Sequence, residues 1–229
     1  MACTLPAMIR IETPTEDALQ PAEAVGYHRH ENAYAAIILS GDYREAGIDG
    51  SYACRSGEVV IHPGYHAHAD QVGADGADIL NIPLDDVVAD RLGYAIYRAG
   101  DVRALARLAR RDPDRFAAAL DRELEVSRRL APPAWLERYV GLILRGDSAS
   151  GAARASGRSI EHAGRTCQHW YGLTPLQLRR EERIRRAISG LRDGGSPAEV
   201  AHDCGFADQP HLTRVLKVAT GRTPARFFG

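Results

Sequence analysis

The C-terminal part of this chain contains one arrangement twice. Ser148–Ser156 reads as a short Ala-rich helix, Gly157 as a turn, and Ser159–Tyr171 as a longer helix stopped by Gly172. Pro197–Asp203, a turn at Cys204-Gly205, and a helix from Asp208 to about Thr220 stopped by Gly221 repeat that order. The exits match too, Gly172-Leu173-Thr174-Pro175 against Gly221-Arg222-Thr223-Pro224, a period of 49 residues. Ser196-Pro197-Ala198-Glu199 is a strong helix start: Ser caps, Pro suits the first helical position, and Glu reaches back to the cap amide. A glycine after each short helix permits the left-handed backbone of a tight turn.

Short helix, glycine turn, longer helix is the order of a helix-turn-helix, whose second helix enters the major groove of DNA. Between the copies, Pro175–Leu191 is rich in helix formers, and its 17 residues span roughly 26 Å. Two reading helices at the ends of such a rod suit successive major grooves about 34 Å apart. Arg179, Arg180, Arg183, Arg185 and Arg186 on the rod are candidates for the intervening phosphates. Charge agrees with this placement. Residues 1–129 hold 14 Lys/Arg against 21 Asp/Glu, net −7, and residues 130–229 hold 15 against 9, net +6. A basic module suited to a polyanion follows an acidic one.

The first 85 residues or so read as strands. Apolar or alternating runs recur at Met8–Glu12, Tyr34–Ser40, Tyr43–Ile48, Glu58–His62 and Asp78–Pro83. Turn signals separate them at Ser40-Gly41-Asp42, Asp49-Gly50-Ser51, Ser56-Gly57, Pro63-Gly64 and Asp75-Gly76, a spacing that predicts a sandwich or barrel. Helical periodicity then takes over in Val102–Arg111 and after Asp112-Pro113-Asp114, where Phe116, Leu120 and Leu124 mark one stripe. That stripe is expected either to pack on its own barrel or to pair with a second subunit. No apolar run approaches the ~20 residues a membrane helix needs, and no secretory signal is seen, so a cytoplasmic protein is expected. Cys3, Cys54, Cys167 and Cys204 form no C-x-x-C pair, which speaks against a disulfide framework or zinc ribbon. Cys167 and Cys204 fall at apolar helix positions and read as core.

Ala201-x-x-Cys204-Gly205-Phe206-x-x-Gln209-x-His211-Leu212-x-Arg214-Val215, with Gly221-x-Thr223-Pro224-x-x-Phe227, resembles the AraC/XylS family of bacterial regulators over about residues 134–229. The resemblance implies a double helix-turn-helix that binds DNA. Carried over by position, Gln209, His211, Thr213 and Arg214 would face bases from the second unit, and Glu161, Gly164 and Arg165 from the first. The residue types suit that role, since Gln pairs with adenine, Arg with guanine, and Glu accepts from cytosine. The first unit departs from the family pattern with Gly151, Ala152, Ala163 and Gly164, and is expected to be locally less stable and less base-selective.

In the strand-rich half, His28-x-His30-x3-Tyr34-x6-Gly41 resembles the first cupin motif, with Tyr34 where that family carries Glu. Gly57-x5-Pro63-x4-His68 resembles most of the second, with Gly64 one place early. The resemblance implies His28, His30 and His68 as ligands of a divalent metal such as Zn²⁺, with Tyr34 a poor fourth. His62 and His66 are alternative ligands, and hydrogen-bonded core histidines are the other reading. For an organic ligand, Tyr34, Tyr43 and the histidines are the polar candidates, while Ile38, Val59, Ile61 and Ile79 read as wall or core.

The expectation is an α+β protein of two domains: a cupin-like β-barrel or jelly roll at 1–100, connecting or dimerising helices at 101–130, and an all-α double helix-turn-helix domain at 131–229. Its function is read as non-enzymatic transcription regulation, in which an unknown small molecule or metal modulates binding to double-stranded DNA, with a homodimer left open. The alternative is a metal-dependent cupin enzyme, a dioxygenase or isomerase, with a DNA-binding appendage. A constitutive DNA-binding protein with a purely structural barrel is the third reading.

Overall fold

The structure, a computed structural model, describes residues 7–120, 122–126 and 128–227. It divides into two compact units, with Pro6–Ala131 in one and Pro132–Gly229 in the other. Cys3 lies outside the described residues.

Among the described residues, ten strands form one mixed sheet in the first unit: β1 (Ala7–Ile9), β2 (Thr15–Leu19), β3 (Ala24–His30), β4 (Tyr34–Gly47), β5 (Gly50–Arg55), β6 (Glu58–His62), β7 (Ala67–Pro83), β8 (Ala95–Arg98), β9 (Leu124–Glu125) and β10 (Arg129–Leu130). The main path runs β1-β3-β7-β4-β6-β8-β9, with β2 beside β7 and β5 between β4 and β10. Among the described residues the two ends of the path do not pair, so the sheet folds over without closing into the expected barrel. The two-domain α+β architecture is otherwise the expected one.

Two presumed turns are bends inside long strands. β4 runs through Ser40-Gly41-Asp42 and β7 through Asp75-Gly76, and the two pair with each other, Gly41 opposite Ala77, with bulges on either side of Gly41. A Cβ on Gly41 would stand 1.9 Å from the Gly76 carbonyl oxygen, and Gly41 has φ +70°. Glycine here marks close approach of two backbones rather than chain reversal. Each long strand thereby serves two sets of neighbours: β4 pairs with β6 through Tyr34–Ile37 and with β5 through Asp42–Gly47.

Alternation along β4 separates two cores. Ala35 and Ile37 face one cluster with Val59, Ile61, Leu80 and Ile82, whereas Tyr34, Ala36 and Ile38 face another with Tyr43, Cys54, Val72 and Ile79. Helices cover the first face: α1 (Asp86–Leu92), α2 (Val102–Arg111) and α3 (Pro113–Leu120). The helices expected as a connector therefore belong to the sheet's own core. Phe116 and Leu120 are fully buried against it, while Leu124 sits on β9 and is 65% exposed. The expected stripe is broken where α3 ends, and its buried members are spent within their own subunit.

The second unit is helical: α4 (Ala134–Arg145), α5 (Ala149–Ala155), α6 (Ile160–Tyr171), α7 (Pro175–Arg192), α8 (Pro197–Asp203) and α9 (Gln209–Thr220), followed by a short 3-10 turn at Pro224–Arg226. No helix among the described residues is long and apolar enough to cross a membrane.

Candidate functional sites

Each helix of the repeated arrangement starts on a side-chain cap. Ser148, Ser159 and Asp208 accept from the amides of Gly151, His162 and His211, and Thr174 and Ser196 form capping boxes with Gln177 and Glu199. Such a cap contributes about 1 kcal/mol. Gly157 and Gly205 take φ +66° and +71° in the turns, and Gly172 and Gly221 end the longer helices in the same left-handed region. The turns are not identical. Two residues separate Ser156 from the Ser159 cap, and three separate Cys204 from the Asp208 cap. The extra residue admits Phe206, which is buried.

α6 buries Ala163, Cys167 and Tyr171, and α9 buries Leu212, Leu216, Ala219 and Thr220. Glu161, Arg165, Gln209 and Arg214 lie off those stripes and are exposed, while Thr213 and His211 are half-buried. His211 has structural work as well: its Nδ1 accepts from the Ala207 amide at 3.3 Å, and its ring meets Phe206 edge-on at 5.5 Å. Hydrogen bonds from its own backbone amide and from Ser159 hold Glu161 below the usual carboxylate range, as suits an acid in the first turn of a helix.

Sequence reading missed a pairing between the two units. His162, 49 residues before His211, packs on Trp135 of α4 at 5.2 Å, and the Arg158 guanidinium lies 5.0 Å from the same ring. In the second unit Arg183 of α7 lies 4.2 Å over Phe206, the ring that His211 touches. Each of the two longer helices thus carries a histidine against an aromatic ring that an arginine also approaches. The signal was the period itself, which aligns the two histidines.

Several rod arginines have partners within the protein. Arg179 donates to the carbonyls of Ile143 and Asp147 at the end of α4, Arg183 to those of Cys204 and Gly205, and Arg186 to that of Asp203. Arg185 pairs with Glu182. Arg179, Arg183 and Arg186 thus bring side-chain donors to carbonyls at and just beyond the ends of α4 and α8. Cys167 and Cys204 are buried; burial pushes Cys167 up to about 12, and its thiol donates to the Leu173 carbonyl.

In the sheet unit the expected metal candidates come together. β3 and β7 pair His28 with His68, and one nitrogen from each of His28, His30 and His68 lies within 4.8 Å of the others. His28 Nδ1 donates to the Gly26 carbonyl at 2.9 Å, which leaves Nε2, 3.1 Å from His30 Nε2, as an acceptor. Burial holds all three rings below the usual imidazole range, His30 down to about 2, so they are neutral. That donor set suits a divalent ion, but its usual carboxylate is absent: Tyr34 is buried as a neutral phenol, stacked on His62 at 4.3 Å and beside His30 at 4.3 Å.

A carboxylate does reach the histidines from a position not singled out. Glu45 of β4, 2% exposed, accepts from His62 Nε2 at 2.9 Å, and its other oxygen stands 4.0 and 3.9 Å from Nδ1 of His66 and His68. Burial pushes Glu45 up, and the charge and hydrogen bond of His62 bring it back below the ordinary value. One sequence signal existed: Glu45 shares parity with Tyr43 on a strand whose inner face is otherwise apolar. A cavity of about 250 Å³ opens beside this cluster, lined by His28, His30, Tyr34, Tyr43, His62 and His68 together with Asp70 and Ile79.

An open sheet unit with a polar pocket and a tandem of capped helix-turn-helices make this a two-domain protein. Residues 152–229 match the family described as a helix-turn-helix domain. No curated protein matches the chain. Among solved structures, ToxT from Vibrio cholerae O395 is 12% identical, with 95% of this chain and 97% of that one covered, TM-score 0.42. An AraC-type regulator from Chromobacterium violaceum is 23% identical over 41% of this chain and 88% of that one, TM-score 0.38. A DNA-binding transcriptional dual regulator from Escherichia coli K-12 is 22% identical over 44% and 94%, TM-score 0.38.

Proposed function

We propose that the protein is a cytoplasmic transcription regulator that grips one face of double-stranded DNA with both helix-turn-helix units, and that occupancy of the histidine-lined cavity biases this grip. The observation that carries the reading is the capped tandem repeat, in which α6 and α9 have equivalent caps, left-handed glycine exits and exposed Arg165 and Arg214 at equivalent positions. Arg165, Gln209 and Arg214 are assigned to base edges, and Glu161, His211 and Thr213 to contacts around them. The modulating step is linkage: a small molecule or ion that binds one conformation of the sheet unit better shifts the population presented to DNA.

Selection of bound DNA from random sequence, followed by affinities of Arg165→Ala and Arg214→Ala for matched and mismatched sites, tests this. Arg214→Ala should lose the greater discrimination, because the first unit is seated on Ala152 and Ala163, where larger side chains would bury more surface. A larger loss at Arg165 reverses that ranking, and no selected sequence at all removes the DNA reading. The metal-dependent enzyme remains the alternative motivated by the histidines; turnover abolished by chelation would establish it.

A further inference from the structure

We infer that Glu45, His62, His66 and His68 form a four-ligand site for one divalent transition-metal ion of the Zn²⁺ class, which takes His68 from the His28–His30–His68 set and leaves His28 and His30 out. The inference concerns the sheet unit alone and stands whether or not the helical unit binds DNA.

One ligand atom from each of the four residues lies within 4.8 Å of the other three. Nδ1 of His66 and Nδ1 of His68 are 3.3 Å apart. Two ligands at ~2.0–2.1 Å on a tetrahedral ion stand about 3.3 Å from one another. Glu45 meets the three imidazoles through both of its oxygens, Oε2 at 2.9 Å from His62 Nε2 and Oε1 at 3.9 and 4.0 Å from Nδ1 of His68 and His66. Three of the four side chains are less than 5% exposed and His66 is 10% exposed, so water is largely excluded.

The surroundings are those of a metal site. With Nδ1 of His66 and His68 turned to the ion, their Nε2 atoms stand 3.8 Å from Asp49 Oδ2 and 3.6 Å from Asp70 Oδ2. A carboxylate hydrogen-bonded behind a ligating imidazole fixes its tautomer and raises its basicity, and these two acids stand just beyond hydrogen-bond distance of the rings. The third ring needs only a tautomer change. Its Nε2 proton now goes to Glu45, while Nδ1 is buried without a hydrogen-bond partner among the described residues. Coordination through Nε2 leaves the proton on Nδ1. Register explains the convergence: β4 and β7 pair Glu45 with Asp70 and Gly47 with His68, while β6 ends at His62 and its loop delivers His66. Four protein ligands close the coordination sphere, the form of a structural site.

The test uses the full chain without a histidine tag, stripped by chelator and titrated with Co²⁺, whose tetrahedral complexes absorb strongly in the visible. Wild type should bind one equivalent with a tetrahedral spectrum, and Zn²⁺ should displace it and raise the Tm. Glu45→Gln and His66→Asn should each weaken binding roughly tenfold or more. The double variant His28→Gln, His30→Gln should keep the tetrahedral spectrum. If Glu45→Gln fails to fold, His66→Asn, at the more exposed ligand, decides alone. Unchanged affinity in the variants of Glu45 and His66, or no stoichiometric binding by wild type, overturns the assignment.

Discussion

Arg183 covers the ring of Phe206 at 4.2 Å and donates from the same guanidinium to the carbonyls of Cys204 and Gly205. One side chain of the rod thereby ties together the end of α8, the turn and the ring beneath α9. Arg183→Ala should remove two hydrogen bonds and a cation–π contact, costing about 2 kcal/mol. Arg183→Lys should recover only part, because a lysine lacks the planar fork. Denaturant unfolding measures both; equal stability of all three proteins would show that the turn is held by other contacts.

Gly164 lies inside α6, and a Cβ there would meet nothing within 4 Å. Gly164→Ala should therefore stabilise the helical unit by roughly 1 kcal/mol, since an interior helix glycine costs that much relative to alanine. Thermal melts decide it, and a lower Tm would refute the expectation that the first unit carries an avoidable local weakness.

Gly41 and Gly57 separate close approach from backbone conformation. Both have positive φ, but a Cβ on Gly57 meets nothing within 4 Å, while one on Gly41 strikes the Gly76 carbonyl. Gly57→Ala should cost about 1–2 kcal/mol, the penalty of a left-handed residue. Gly41→Ala should cost clearly more, and loss of soluble protein is the extreme outcome. Similar melts for the two variants would contradict the crossing of β4 and β7 at that point.

That crossing also shows what was hidden from the sequence. The helical unit was legible because its signals are local: Ser148, Ser159, Thr174, Ser196 and Asp208 cap the helices they precede. Gly41 and Gly76 carry the same residue signals as turns, and only their mutual approach, 35 residues apart, makes them bends in continuous strands. Strands β2 and β8 went unread, and β3 was read only at His28 and His30, because partners distant in the chain, rather than strong alternation, hold them in the sheet. Glu45 was missed for a related reason: it meets His62, His66 and His68 only through strand register.

Buried neutral histidines make stability depend on pH. His28, His30, His62 and His68 are held below 6.5, mainly by burial, with His30 at about 2. The unfolded chain protonates these residues near 6.5 and the folded chain does not, so stability is full above pH 6.5 and falls as pH drops below it. Each such histidine contributes about 1.4 kcal/mol per pH unit. Glu45, also depressed, adds in the same sense below its ordinary value, whereas Asp70, raised by burial and by Glu45, opposes from its ordinary value upward. Metal-free protein melted at several pH values between 7 and 5 should show a falling Tm. A flat profile would mean that the rings are protonated in the folded state.

The central claim is a two-unit grip on one side of the double helix, and hydroxyl-radical footprinting on a selected site tests it most directly. Two protected patches centred about 10 base pairs apart on one face are predicted, with Arg165→Ala weakening one and Arg214→Ala the other. A single protected patch that depends on only one of the two arginines, or patches on opposite faces, would contradict it.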